Sequence, residues 1–170
     1  MSEAEFLFSV ALVAATFAGF ATLVVVIRQG PDRPNNALIA RRLVTMLQQS
    51  LITILFCFIP FLPQYADLSP LSSWRLSSSL FCIAWLIHYV HNVNRLRKEG
   101  LLRQLSPSNR WHVYLVHPMA IAALALGSFG VWGRQGGLVY LCCALTMLYL
   151  CGFLFLQQVR ALNIESAKDT

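Results

Sequence analysis

The stretch FLFSVALVAATFAGFATLVVVI, residues 6–27, contains no charged side chain and is as long as one membrane crossing. A helix needs about 20 consecutive, mostly apolar residues to cross the hydrocarbon core of a bilayer. Further stretches of this kind follow along the chain. The predicted transmembrane spans are Phe6–Ile27, Ala37–Leu62, Trp74–Val93, Trp111–Val131 and Gly137–Val159. The sequence therefore predicts an all-α bundle of five transmembrane helices that forms a single domain, residues 1–170.

Composition supports a membrane location and opposes a water-soluble one. Charged residues make up 12% of the chain, whereas soluble domains carry about 25%. Within the predicted spans, charge is confined to residues near the ends, and no Asp or Glu occurs in any of them. A charge at the bilayer centre costs at least ~2.5 kcal/mol, which explains this distribution. The scarcity of acidic groups at depth also argues against an enzyme, because no carboxylate is available there to orient a catalytic histidine.

The basic residues alternate between connections, and this alternation predicts the orientation. The first connection holds Arg28 and Arg33, whereas Asp67 is the only charge in the second and Arg134 the only charge in the fourth. The third connection, the predicted basic loop 94–110, holds Arg95, Arg97, Lys98, Arg103 and Arg110. Because short loops rich in Lys and Arg stay in the cytoplasm, the N-terminus is predicted outside and the C-terminus inside. The net charge of +6 thus reflects topology, and no nucleic-acid partner is predicted.

Short motifs in the first half carry a family resemblance. They are Thr16-Phe17-Ala18-Gly19-Phe20, Arg41-Arg42-Leu43 and Trp74-Arg75-Leu76-Ser77-Ser78. Together they resemble uncharacterised small multi-span proteins of bacterial inner membranes, over roughly residues 10–95. The resemblance implies a bacterial inner-membrane protein with several spans. It brings no activity, cofactor or site residues.

A polar stripe runs along the second span and suggests a permeation path. Arg42, Thr45, Gln49 and Thr53 recur every three or four residues and therefore share one helix face. Several copies around an axis would line a pore with this stripe, and a ring of arginines at its mouth would favour anions. The sequence thus predicts a homo-oligomeric channel, with hydrogen bonding between helices of one subunit as the alternative role of the stripe.

The chain has four histidines, and all lie near the cytoplasmic ends of the third and fourth spans. His88 and His117 are predicted at matching depth on neighbouring helices, where they would suit a b-type haem or a metal ion. His91 nearly shares the face of His88, whereas His112 and His117 are expected about 140° apart, so that only one faces the third span. Interfacial hydrogen bonding and a protonation switch are the alternatives, and the preferred channel needs no cofactor.

The remaining predictions concern contacts with lipid and protein. Small residues four apart mark helix-packing faces in the first and fourth spans. These residues are Ala14, Ala15, Ala18, Gly19, Ala123 and Gly127. In the basic loop, Leu101, Leu102 and Leu105 alternate with Arg and Gln, which predicts a short amphipathic helix on the membrane surface that meets anionic lipid headgroups. A further alternative is an accessory subunit that anchors a cytosolic partner through this loop.

Overall fold

The computed structural model of the chain is helical throughout and describes residues 2–28, 37–66 and 69–166. Its α-helices are α1 (Glu3–Arg28), α2 (Ala37–Phe58), α3 (Pro70–Lys98), α4 (Pro107–Trp111), α5 (His117–Ser128) and α6 (Gly136–Ser166). Shorter helical segments are the 3₁₀ turns Ile59–Ala66, Leu101–Gln104 and Gly133–Gln135, and the π-helical turn His112–Val116. No strand occurs among the described residues, so the predicted all-α class is confirmed. The predicted loop charges Arg33 and Asp67 lie outside the described residues.

Four helical segments in the described residues are long and apolar enough to cross a membrane. They are Glu3–Val24, Arg41–Leu62, Pro107–Ser128 and Gly133–Arg160. Each overlaps one of the predicted spans, so the helices have the length and composition that a helical membrane protein needs. Helix α3, which contains the remaining predicted span, has 29 residues and thus the required length, but its serines, histidines and asparagines make it more polar than the others.

The chain divides into two compact units, and the division falls inside helices α2 and α6. Unit 1 comprises Met1–Ile54 and Met147–Thr170. Its apolar core contains Ala21 and Val24 of α1, Leu43 and Met46 of α2, and Cys151 of α6. Phe155 closes this core, with its ring 5.6 Å from Phe17 and 4.5 Å from Phe20.

The small residues of α1 are divided between the inside and the outside of unit 1. Ala14 is fully buried, as a packing face requires. Ala15 and Gly19 are exposed instead, and no described atom comes within 4 Å of a Cβ placed on Gly19. Ala14 therefore packs within the chain, whereas the face formed by Ala15 and Gly19 is left to lipid or to another molecule.

Unit 2, residues Leu55–Thr146, is built around aromatic side chains. Phe81, Trp85 and Tyr140 are completely buried. The Phe81 ring stacks on Phe56 at 4.6 Å and lies 5.3 Å from Trp85. Large buried aromatic side chains contribute heavily to core stability, and such stacked pairs add about 0.5–1.5 kcal/mol beyond their burial. These four residues form a continuous aromatic cluster inside unit 2.

Pro60 follows directly on the end of helix α2 and lies in the 3₁₀ turn Ile59–Ala66. Proline has no N–H, so the carbonyl of Phe56, four residues earlier, loses its normal helical donor. The hydroxyl of Tyr140 donates to this carbonyl from α6. On the other side, the Ser73 hydroxyl donates to the carbonyl of Pro60 at 3.2 Å. Side chains of α3 and α6 therefore supply hydrogen bonds to backbone carbonyls where α2 ends.

Helix α5 ends at a glycine in the left-handed conformation, which few other residues adopt. Gly130 has φ = +74°, and the N–H groups of Gly130 and Val131 return to the carbonyls of Gly127 and Leu126. This pattern is the Schellman motif. The guanidinium of Arg75 lies against Gly130, so a cation of α3 sits at the negative end of α5. Arg75 thus has a contact within the fold.

Gly127, one of the predicted packing residues, lies where α5 comes close to α3. A Cβ at this position would lie 3.2 Å from the Ser78 hydroxyl oxygen. Because this distance is tighter than ordinary contact, the missing side chain lets α5 approach α3 closely. Gly127 is buried, whereas Ala123 is only half-buried.

Candidate functional site

The polar stripe of helix α2 is fully or half buried in the chain. Gln49 is 2% exposed and Thr53 1% exposed, whereas Arg42 and Thr45 are half-buried. The Thr53 hydroxyl donates to the carbonyl of Gln49 at 2.8 Å, a bond within the helix. A pore between copies would need these side chains to be uncovered, so a pore lined by Gln49 and Thr53 stays a prediction.

Gln49 stands out within the stripe because of its side-chain oxygen. Oε1 of Gln49 is buried and has no hydrogen-bond partner among the described residues. A buried acceptor left unsatisfied costs about 1–3 kcal/mol. The neighbouring Ser50 hydroxyl does not relieve it, since Ser50 donates to the sulfur of Cys151 at 3.6 Å. The stripe therefore contains an acceptor suited to a water molecule or another polar guest.

Three histidines gather inside unit 2 and are here called the histidine cluster: His88 of α3, His112 of the π-helical turn and His117 of α5. Each is no more than 9% exposed, whereas His91 is exposed. His117 lies close enough to both His88 and His112 for electrostatic interaction between the rings. The predicted gathering of His88 and His117 on neighbouring helices is what the structure has.

Pro118 shapes the backbone between His112 and His117. In a regular α-helix, the missing N–H and the ring of Pro118 would conflict with the carbonyl of Tyr114, four residues earlier. The chain widens to a π-helical turn instead, in which the N–H of His117 bonds to the carbonyl of His112. This i→i+5 bond means that the spacing of 140° expected for a regular α-helix does not apply to His112 and His117. Both histidines are buried.

Hydrogen bonds fix which ring nitrogen carries the proton in two members of the cluster. The indole N–H of Trp85 donates to Nδ1 of His117 at 2.9 Å. A neutral ring whose Nδ1 accepts a hydrogen bond carries its proton on Nε2. In His112, Nδ1 lies 2.7 Å from the carbonyl of Ser108, which can only accept, so the proton is on Nδ1. His88 is held by the side-chain amide of Asn92, 2.9 Å from Nε2.

These bonds bear directly on the predicted haem or metal site. With Nδ1 accepting and Nε2 protonated, His117 has no lone pair left for a metal ion or a haem iron. Among the described residues, no group of three or more His, Cys, Asp or Glu side chains is placed to hold a metal ion. The bis-histidine arrangement of His88 and His117 therefore does not fit this hydrogen bonding. Sequence reasoning missed Trp85, although its position one turn before His88 places it on the same face.

The basic loop forms an ordered turn packed on the end of unit 2. Gly100 adopts φ = +69° after α3, and the Ser106 hydroxyl caps the next helix by accepting from the N–H of Asn109. Leu101 and Leu105 are both 8% exposed. They therefore anchor the turn to the protein. The predicted amphipathic surface helix is replaced by a 3₁₀ turn because its apolar side chains find a core to enter.

No protein-family model, no curated protein and no solved structure matches this chain. A proposal for its function therefore has to rest on the geometry of these sites.

Proposed function

We propose that this chain is a non-enzymatic protein of a bacterial inner membrane that crosses the bilayer five times and provides a permeation path for anions. The N-terminus lies outside and the C-terminus inside, and the working form is a homo-oligomer. The polar stripe of α2 is the wall of the path, and the buried oxygen of Gln49 is the observation that carries the proposal.

The length and packing of α3 support a fifth crossing. Its 29 residues span about 43 Å at ~1.5 Å per residue, which exceeds the ~30 Å hydrocarbon core. Its polar side chains Ser73, Ser77, Ser78 and His88 are buried within the protein. A helix that turns its polar groups away from lipid crosses a membrane despite a polar composition. The fifth crossing also gives the odd number that the alternating loop charges require.

The unsatisfied oxygen of Gln49 supports a hydrated path. An acceptor of this kind is expensive in a purely structural role, because leucine would fill the same space without the penalty. Water or a hydrated ion that reaches Gln49 removes the penalty. Because Gln49 and Thr53 are buried, we place the path inside unit 1, along α2, and take the structure as its closed form. Arg42, half-buried two turns before Gln49, supplies the positive charge that attracts anions.

Chloride efflux from liposomes reconstituted with purified protein tests the proposal. The wild-type protein should release chloride faster than protein-free liposomes, and replacing chloride by gluconate should slow the flux. Gln49→Leu removes the polar oxygen at nearly constant volume and should abolish most of the flux. Its thermal midpoint in detergent should stay equal or rise, because the buried unsatisfied oxygen is gone.

Thr16→Val is the matched control for Gln49→Leu. Thr16 is exposed on α1, and its hydroxyl bonds only to the carbonyl of Leu12 in its own helix at 3.1 Å. Removal of this hydroxyl should leave the flux unchanged. Wild-type flux in Gln49→Leu protein would refute the assigned role of the stripe, and flux no higher than in empty liposomes would refute the permeation path itself.

A further inference from the structure

The end of α3, the turn after it and the start of α4 carry a concentration of positive charge. Arg95, Arg97, Lys98, Arg103 and Arg110, here called the basic collar, are all exposed. The single carboxylate in this segment, Glu99, is 2.9 Å from Arg95 and forms an ion pair with it. None of the other collar cations has an acidic partner among the described residues. The collar therefore presents a net excess of cations that the protein itself does not neutralise.

The collar is held in one shape. Besides the buried Leu101 and Leu105, the guanidinium of Arg110 donates to the carbonyl of Arg103 at 3.0 Å. The backbone N–H of Glu99 returns to Arg95, and that of Gly100 returns to Arg97. A preorganised turn loses little conformational entropy when it binds a ligand. Its cations are thus positioned before any partner arrives.

Two aromatic side chains fix the depth of the collar. Trp111 and Tyr114 follow Arg110 directly and are 62% and 58% exposed, although they lie in an apolar helical segment. Tryptophan and tyrosine with this exposure are typical of the boundary between hydrocarbon and headgroups. The collar cations on the other side of that boundary therefore lie in the layer that contains the lipid phosphates.

We propose that the basic collar binds the headgroups of anionic phospholipids in the leaflet that surrounds it. Charge complementarity and depth together favour a lipid over a soluble protein partner, since the cations sit where phosphates are already concentrated. The collar and the polar stripe share no residue, so lipid binding can be tested independently of the permeation path.

Lipid binding is measured on the purified full-length protein in nanodiscs of phosphatidylcholine with and without phosphatidylglycerol. The readouts are the number of phosphatidylglycerol molecules retained in native mass spectrometry and the thermal midpoint. Phosphatidylglycerol should raise the midpoint, and added salt should weaken the effect because it screens surface charges. Inorganic phosphate added to phosphatidylcholine nanodiscs should not reproduce it, because free phosphate lacks the membrane anchoring of the lipid.

The test variant is Arg97→Gln with Lys98→Gln, since neither side chain takes part in the hydrogen bonds that shape the turn. Loss of two charges near an anionic surface should weaken phosphatidylglycerol binding about thirtyfold. Arg134→Gln, which removes an exposed cation outside the collar, should leave it unchanged. Undiminished binding in the double variant would overturn the proposal. So would full stabilisation by inorganic phosphate, or stoichiometric retention of a cytosolic protein by the collar without any effect of phosphatidylglycerol.

Discussion

At the scale of single residues, Gly130 shows how one position combines two constraints. Its φ of +74° excludes most side chains, and the guanidinium of Arg75 occupies the space where a Cβ would be. The left-handed conformation alone costs an L-residue about 1–2 kcal/mol. The position therefore serves both the end of α5 and its contact with α3.

Gly130→Ala should lower the thermal midpoint of the protein in detergent more than Gly133→Ala does. Gly133 also has a positive φ, +49°, but no described atom lies within 4 Å of its Cβ position. The two variants share the backbone penalty, so their difference isolates the displacement of Arg75. Equal midpoints for the two variants would show that the guanidinium moves aside freely.

At the scale of elements, the broken end of α2 depends on a hydroxyl of α6. Tyr140→Phe leaves the Phe56 carbonyl without its donor and should destabilise the protein by about 1–3 kcal/mol. In a Pro60→Ala background, the restored backbone N–H can take over, and the same substitution should cost much less. A double-mutant cycle of reversible unfolding in mixed micelles measures this coupling.

Tyr114→Phe serves as the matched control for this cycle, because it removes a hydroxyl from an exposed site. It should have little effect on stability in either background. If Tyr140→Phe destabilised the wild-type and Pro60→Ala proteins equally, the hydroxyl would not be compensating for the proline.

The π-helical turn offers a second prediction at this scale. Pro118→Ala removes the cause of the turn, so the helix should return to α geometry and rotate His112 relative to His117. Modification by diethyl pyrocarbonate, quantified by mass spectrometry, reports the change. His112 should become as reactive as the exposed His91, while His117 stays protected. A His112 that remained unreactive would show that Pro118 does not maintain the turn.

The elements that sequence reasoning predicted well are those set by local chemistry. Long apolar runs predicted the four helices that are long and apolar enough to cross a membrane, because such runs act within one helix. The burial of both His112 and His117 was not predicted, since the 3.6-residue period assumed for them does not apply in the π-helical turn. The burial of the polar stripe could not be predicted either. Whether Gln49 faces a neighbouring helix or another copy depends on packing, which spacing along α2 does not encode.

At the scale of the whole molecule, the proposed orientation predicts which positions a membrane-impermeant maleimide reaches in intact cells. With the native cysteines replaced, Arg134→Cys should be labelled from outside. Arg103→Cys should be labelled only after permeabilisation. Both positions are exposed, but the proposed orientation puts their two connections on opposite sides of the membrane. Labelling of both positions in intact cells, or of neither, would contradict five crossings with the N-terminus outside.

Assembly into a homo-oligomer is proposed to use the exposed face of α1 formed by Ala15 and Gly19. Small residues four apart let two helices approach closely in lipid. Gly19→Leu should therefore reduce the oligomer seen by native mass spectrometry, whereas Leu12→Ala, at a 71% exposed position of the same helix, should not. An unchanged assembly in the Gly19 variant would assign the interface to another face.

The contact between Tyr140 and Phe56 has a consequence for biogenesis. The two residues are 84 positions apart, so the carbonyl emerges from the ribosome long before the hydroxyl that completes it. Until α6 enters the membrane, the carbonyl of Phe56 in α2 lacks this donor. Chains truncated before Tyr140 should therefore be held by the insertion machinery or degraded, because this corner of the fold closes only after Tyr140 has been inserted.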